Sequence, residues 1–95
     1  MQFLFATKYQ EKPQEEILGE VGEERVLILH NDEYNTFDFV IDCLIEICNH
    51  SPSQAEQCTM IVHYKGKCDV MHGEIDFLNS AQKELKNRGL TATIE

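Results

Sequence analysis

Six residues restrict this chain more than any others. Arg25-Val26-Leu27-Ile28-Leu29-His30 is a short, nearly continuous apolar run rich in branched side chains, the pattern of a buried strand. A buried strand needs covering layers, and the sequence after it supplies them. Asn31 to Thr36 is polar and reads as a loop. Asn35 or Thr36 then caps a helix with Asp38 in its first turn. Phe37, Val40, Ile41, Leu44, Ile47 and Cys48 recur at helical spacing, one apolar stripe on a helix of about fourteen residues. Ser51-Pro52 restarts the chain as N-cap and first helical residue. That second helix runs to about Lys65, where Gly66 suits the C′ position. Lys67 to Met71 reads as a strand. Glu74 to Arg88 reads as a third helix with Phe77 or Leu78, Ala81 and Leu85 inward, ended by Gly89. Leu90 to Glu95 alternates as a last strand. The order β-α-α-β-α-β predicts an α+β fold, its helices packed on a small, largely antiparallel three-stranded sheet.

At 95 residues, 42% of them apolar and 26% charged, the chain has the size and composition of one folded domain. Seventeen acidic residues against eight basic ones give a net charge of −9. That balance excludes a general nucleic-acid binder, which needs a basic face for phosphates, and adhesion to an anionic membrane. No apolar run approaches the roughly 20 residues a bilayer requires. Met1 to Ala6 lacks the basic leader and length of a signal peptide, so a cytoplasmic location is expected. Residues 1–24 hold six Glu against two Lys and read as a flexible acidic N-terminal extension. Residues 25–95 read as the core domain. Within the extension, Phe3, Leu4, Phe5 and Tyr9 form an apolar segment that reads as a partly ordered terminus, with docking on the domain, a neighbour or a partner as the alternative.

Cys43, Cys48, Cys58 and Cys68 form no Cys-x-x-Cys pair and read as free thiols in a reducing compartment. Cys58, His63, Cys68 and His72 fit no standard zinc spacing, so no metal and no cofactor is expected.

Chemistry concentrates in two places. One is the loop Asn31-Asp32-Glu33-Tyr34-Asn35-Thr36, between a strand and a helix, where function often sits. Turn chemistry is the competing account, because Asn and Asp satisfy local backbone groups. The other is Thr59, Val62 and His63, which share one helix face. There is no Gly-rich phosphate loop and no nucleophile elbow. An acid/base set of Tyr34, Asp32 and His63 is conceivable on paper, but so small a core offers little room for a water-excluding active site.

The stretch from Val26 through His30-Asn31-Asp32-Glu33-Tyr34 to Phe39-Val40-Ile41-Asp42 resembles the signature of the ClpS adaptor family, an apolar strand running into Asn-Asp-Asp and then a helix reading Glu/Asp-Phe-Val. Ala55 and then Val62-His63-Tyr64-Lys65-Gly66-Lys67 resemble its second signature, Val-His-x-x-Gly. The resemblance covers residues 25–72 well, and Leu90 to Glu95 matches the closing strand. It implies a non-enzymatic adaptor. Such an adaptor binds proteins whose free first residue is Leu, Phe, Tyr or Trp, the N-degron of the N-end rule, and delivers them to a Clp-family AAA+ unfoldase. By the same resemblance Asn31, Asp32 and His63 hold the α-amino group. Phe37, Val40, Thr59, Val62 and Leu90 line the pocket for the first side chain. Glu33, Asn35 and Thr36 form its rim.

The departures carry expectations of their own. Glu33 replaces the usual second Asp, and Asn35-Thr36 a common Thr-Pro. Phe37 and Thr59 each stand where Met is frequent in the family. A shorter Thr59 widens the pocket, which predicts tolerance of larger or β-branched first residues. Reference values of about 6.5 for imidazole and about 7.7–8.0 for an α-amine predict affinity falling below about pH 6 and above about pH 9. The extension is expected to help delivery, not peptide binding.

An alternative from another class is an acidic protein–protein interaction module without an amine pocket. The same element order resembles the C-terminal domain of the ribosomal stalk protein. The two readings differ on whether Asn31, Asp32 and His63 meet.

Overall fold

The computed structural model describes residues 23–95, so the expectations for the acidic extension and for Met1 to Tyr9 fall almost wholly outside the described residues. The elements are β1 (Arg25–His30), α1 (Phe37–Cys48), α2 (Pro52–Lys65), β2 (Lys67–Gly73), α3 (Ile75–Asn87) and β3 (Thr91–Ile94). The β-α-α-β-α-β order read from the sequence is the order observed.

β1 is central because it is the most apolar strand. The sheet order is β2-β1-β3, with both pairings antiparallel, so the sheet is wholly antiparallel. Leu27, Ile28 and Leu29 are all buried. On the β3 side the ladder runs from His30–Thr91 to Leu27–Ile94. Reciprocal 2.9 Å bonds between Val26 and Glu95 extend it. On the β2 side Leu27 pairs with Met71 and Ile28 with Asp69, which leaves Val70 as the extra residue of a bulge. The buried ring of His50, between α1 and α2, donates through Nε2 to the Val70 carbonyl at 2.7 Å. The bulge thus anchors the interhelical connection to the sheet.

The helix boundaries follow the local signals. Thr36, not Asn35, is the N-cap of α1, and its hydroxyl accepts from Phe39 N–H at 3.1 Å. α1 is 12 residues long. It stops where Asn49 turns into the left-handed region at φ 62°. Ser51 caps α2 through Gln54 N–H at 3.1 Å, and Pro52 opens it. Gly66 closes α2 at φ 96°, a conformation a residue with a Cβ adopts only with strain. β2 runs two residues further than Met71, to Gly73.

The core is built from Leu27, Leu29, Leu44, Leu78 and Leu85, each essentially inaccessible to solvent. One expectation needs correction. Of the α1 stripe, Ile41 and Ile47 are only half-buried and Phe37 is 40% exposed, whereas Cys43, outside the stripe, is fully buried. α1 packs on both α2 and α3, so its buried arc rotates toward Cys43. On α3 the structure selects Leu78 of the two candidates for the inner face, and Phe77 stays 58% exposed.

Candidate binding site at the end of the central strand

β1 ends at His30, and the loop beyond it is pinned at both ends. Asn31 N–H donates to the Gly66 carbonyl at 2.9 Å. That contact sets the start of the loop against the last turn of α2, the turn that carries His63. Further on, Asp32 folds the loop back on itself. Its Oδ1 accepts from Tyr34 N–H and Asn35 N–H, both at 2.8 Å, and its Oδ2 accepts from the Asn35 side-chain amide at 2.9 Å. The same amide donates to the Gly89 carbonyl at 3.1 Å. The loop is therefore tied to the α3–β3 turn, just ahead of Leu90.

Between these ties lies a cavity of about 500 Å³, lined by the turn-forming loop, one face of α1, one face of α2, and Leu90. It gathers Asn31, Asp32 and His63, then Phe37, Val40, Thr59, Val62 and Leu90, and also Glu33, Asn35 and Thr36. Each of these was singled out in the sequence. Tyr34 is not among them; it stands 93% exposed, outside the lining. Two lining residues, Leu29 and His30, were missed. The signal was there, since the last residues of a strand flank whatever its loop encloses.

Burial divides the cavity into a floor and a mouth. Val40, Thr59, Val62, Leu90 and Leu29 are buried and form the floor. Thr59 belongs to an apolar floor despite its hydroxyl, which donates to the Ala55 carbonyl one turn back at 2.8 Å and is satisfied there. Asn31, Glu33, Thr36 and His63 are exposed at the mouth, with Asp32 and Asn35 half-buried between. The His63 ring meets Phe37 edge-on, with centroids 5.3 Å apart, and meets Tyr64 in the same manner at 4.9 Å. Phe37, half out of the core, fixes the imidazole from one side.

The electrostatics suit a cation. Asp32 and Glu33 line the cavity, and among the described residues no Lys or Arg does. Partial burial pushes the Asp32 carboxyl upward. The hydrogen bonds from the Asn35 side chain and from the backbone of Asn35 and Tyr34 outweigh it and hold Asp32 below its ordinary value. Asp32 thus stays a carboxylate. A carboxylate accepts roughly four hydrogen bonds; with two on Oδ1 and one on Oδ2 already taken, about one remains, on Oδ2. Turn chemistry and ligand-facing chemistry are both open to the same side chain.

Among the described residues no group of three or more His, Cys, Asp or Glu is placed to hold a metal ion. No helix among them is long and apolar enough to cross a membrane.

Known proteins resemble both the sequence and the fold. The ClpS of Nitratidesulfovibrio vulgaris, an ATP-dependent Clp protease adapter protein, is 40% identical over 63 residues, 62% of this chain and 63% of that protein. The protein of the same description from Oleidesulfovibrio alaskensis is 44% identical over 63 residues, 64% of this chain and 60% of that protein. The chain thus spans less than two thirds of the length of these relatives. The solved structure of Agrobacterium tumefaciens ClpS2 bound to L-phenylalaninamide superposes with a TM-score of 0.67 at 26% identity, covering 76% of this chain and 94% of that one. The family model for the ATP-dependent Clp protease adaptor protein ClpS matches residues 23–93, nearly the whole of the described fold, and on that match the chain belongs to the ClpS family.

Proposed function

We propose that this protein is an adaptor that captures proteins by a free, large hydrophobic N-terminal residue and delivers them to a Clp-family AAA+ unfoldase for degradation. The observation that carries the reading is the cavity itself: acceptors and acidic side chains at its mouth, no Lys or Arg among the described residues, and an apolar floor. A protein N-terminus is a cation joined to a side chain, and such a cavity meets both parts. The L-phenylalaninamide held by Agrobacterium tumefaciens ClpS2 has that composition, an α-amine beside a benzyl group.

Asn31 offers an amide oxygen, Asp32 its remaining lone pair on Oδ2, and His63 a ring nitrogen to the α-amino group. Charge-assisted contacts contribute roughly 1.5–3 kcal/mol each. Burying a Leu or Phe side chain against Val40, Thr59, Val62 and Leu90 contributes roughly 1.5–3 kcal/mol more. After the cost of association, a micromolar constant, about −8 kcal/mol, is within reach only if amine and side chain bind together. The unfoldase is ClpA- or ClpC-like, and the acidic extension of residues 1–24 serves delivery. The adaptor works in the cytoplasm.

The test is binding of a fluorescent peptide that begins with Leu, beside the same peptide N-acetylated and one that begins with Gly. Binding of the free Leu terminus alone supports the reading. Equal binding of all three, or none, overturns it in favour of an acidic interaction module.

A further inference from the structure

Two thiols from different elements converge on one atom. Cys58, buried in α2, approaches the Asp69 carbonyl oxygen at 3.9 Å, and Cys68, half-buried in β2, approaches the same oxygen at 3.4 Å. Neither is used by the site, yet both border it. Cys58 precedes Thr59, a floor residue, and Cys68 pairs in register with Leu29, another.

We propose that Cys58 and Cys68 are a redox modification site, a dithiol that a peroxide converts reversibly to a disulfide fastening α2 to β2 beside the cavity. The Cys58 thiolate attacks one oxygen of hydrogen peroxide, breaking the O–O bond and becoming a sulfenic acid, and hydroxide leaves and takes up a proton. The Cys68 sulfur then attacks the Cys58 sulfur, loses its own proton, and expels the sulfenic oxygen as water. Both sulfurs are oxidised, two thiol hydrogens are lost, and one peroxide is reduced to two waters. A dithiol reductant reverses the change.

The surroundings single out this pair. A hydrogen bond from the Cys68 thiol holds Cys58 below the ordinary thiol value, against burial and the negative neighbours Cys48 and Asp69. That same bond, with burial, pushes Cys68 far up. The lowered Cys58 favours the thiolate that the first step needs, and Cys68 gives up its proton only as it attacks the sulfenic sulfur in the second. Burial also pushes the Cys48 thiol up to about 12 and raises Cys43, and Cys43 faces the Arg88 guanidinium at 3.9 Å instead of the shared Asp69 carbonyl.

The experiment exposes the reduced full-length chain to hydrogen peroxide, blocks remaining thiols by alkylation, and maps disulfides by mass spectrometry. The expected product is an intramolecular Cys58–Cys68 disulfide with Cys43 and Cys48 still alkylatable, restored to four thiols by dithiothreitol. Cys68→Ser, at the half-buried position, abolishes the product, and Cys43→Ser preserves it. In the reduced native protein, iodoacetamide modifies Cys58 before Cys43 and Cys48. A Cys43–Cys48 bridge, crosslinked dimers, stable sulfinic acid in place of the disulfide, or equal alkylation rates for all four thiols would each overturn the proposal. None of these readouts involves peptide binding, so failure here and failure of the adaptor reading are separate results.

Discussion

Asn35 grips Asp32 twice, through its main-chain N–H at 2.8 Å and its side-chain amide at 2.9 Å, and the second of these donors also holds the Gly89 carbonyl at 3.1 Å. One amide group therefore fixes both the acidic loop and the turn that leads to Leu90. Asn35→Ala removes the side-chain bonds and keeps the main-chain one. The expected loss is about 1–2 kcal/mol in urea unfolding, since one bond goes to a carboxylate and both are partly solvated. Affinity for a Leu-initiated peptide falls with it. Unchanged stability would mean that the loop is held by its backbone alone.

Acid should weaken the fold through Asp32. Its carboxyl lies below the ordinary 3.8 in the folded state. The ionised form is favoured by folding, so the contribution is fully present above the unfolded value and is lost as pH falls through the folded one. Below about pH 4 the wild type should therefore lose stability more steeply than Asp32→Asn, and the two curves should run parallel above about pH 5. Chemical denaturation across that range checks the sign; parallel curves throughout would deny Asp32 this role.

His63 should matter only to peptides with a free amine. His63→Ala removes one acceptor and the partner of Phe37, so binding of the free Leu terminus should fall roughly tenfold to a hundredfold, the equivalent of about 1.5–3 kcal/mol. Weak residual binding of the N-acetylated peptide should not change. A titration in which both peptides lose equally would reduce His63 to a packing residue.

Thr59 sets how much room the floor leaves. Peptides beginning with Ile or Val should bind within about tenfold of Leu, a gap of about 1.4 kcal/mol. Thr59→Met fills space against Val40 and Val62 and should widen that gap by about another factor of ten. A wild type that already rejects Ile and Val refutes the wide pocket.

Core truncation gives a scale for these effects. Leu85→Ala, at a fully buried position of α3, should cost about 2–5 kcal/mol in unfolding free energy. If it costs less than Asn35→Ala, the division between core and rim drawn from burial is wrong.

Much of this was legible in the sequence because the signals were local. The apolar run of β1, Ser51-Pro52 opening α2 and Gly66 closing it are each decided within a few residues. The burial of Cys43 and the exposure of Phe37 were not legible, because the apolar stripe counts periodicity while the true arc of α1 depends on having α2 on one side and α3 on the other. The Val70 bulge was hidden for the same reason: a strand's own residues do not announce that His50, distant in sequence, will need a carbonyl. The lining of the cavity was anticipated through the family resemblance, which supplied long-range pairings that periodicity cannot. The alternative of turn chemistry at Asp32 was also right as far as it went, since the bonds to Tyr34 and Asn35 are of that kind.

The contact between Asn31 N–H and the Gly66 carbonyl is made by main chain on both sides. Side-chain replacement at Asn31 leaves the donor in place, and only a proline there would remove it. The frame of the cavity is thus inherited separately from the residues that decorate it. Exchanges at Glu33, Phe37 or Thr59 alter the lining of the cavity while the ends of β1 and α2 remain joined.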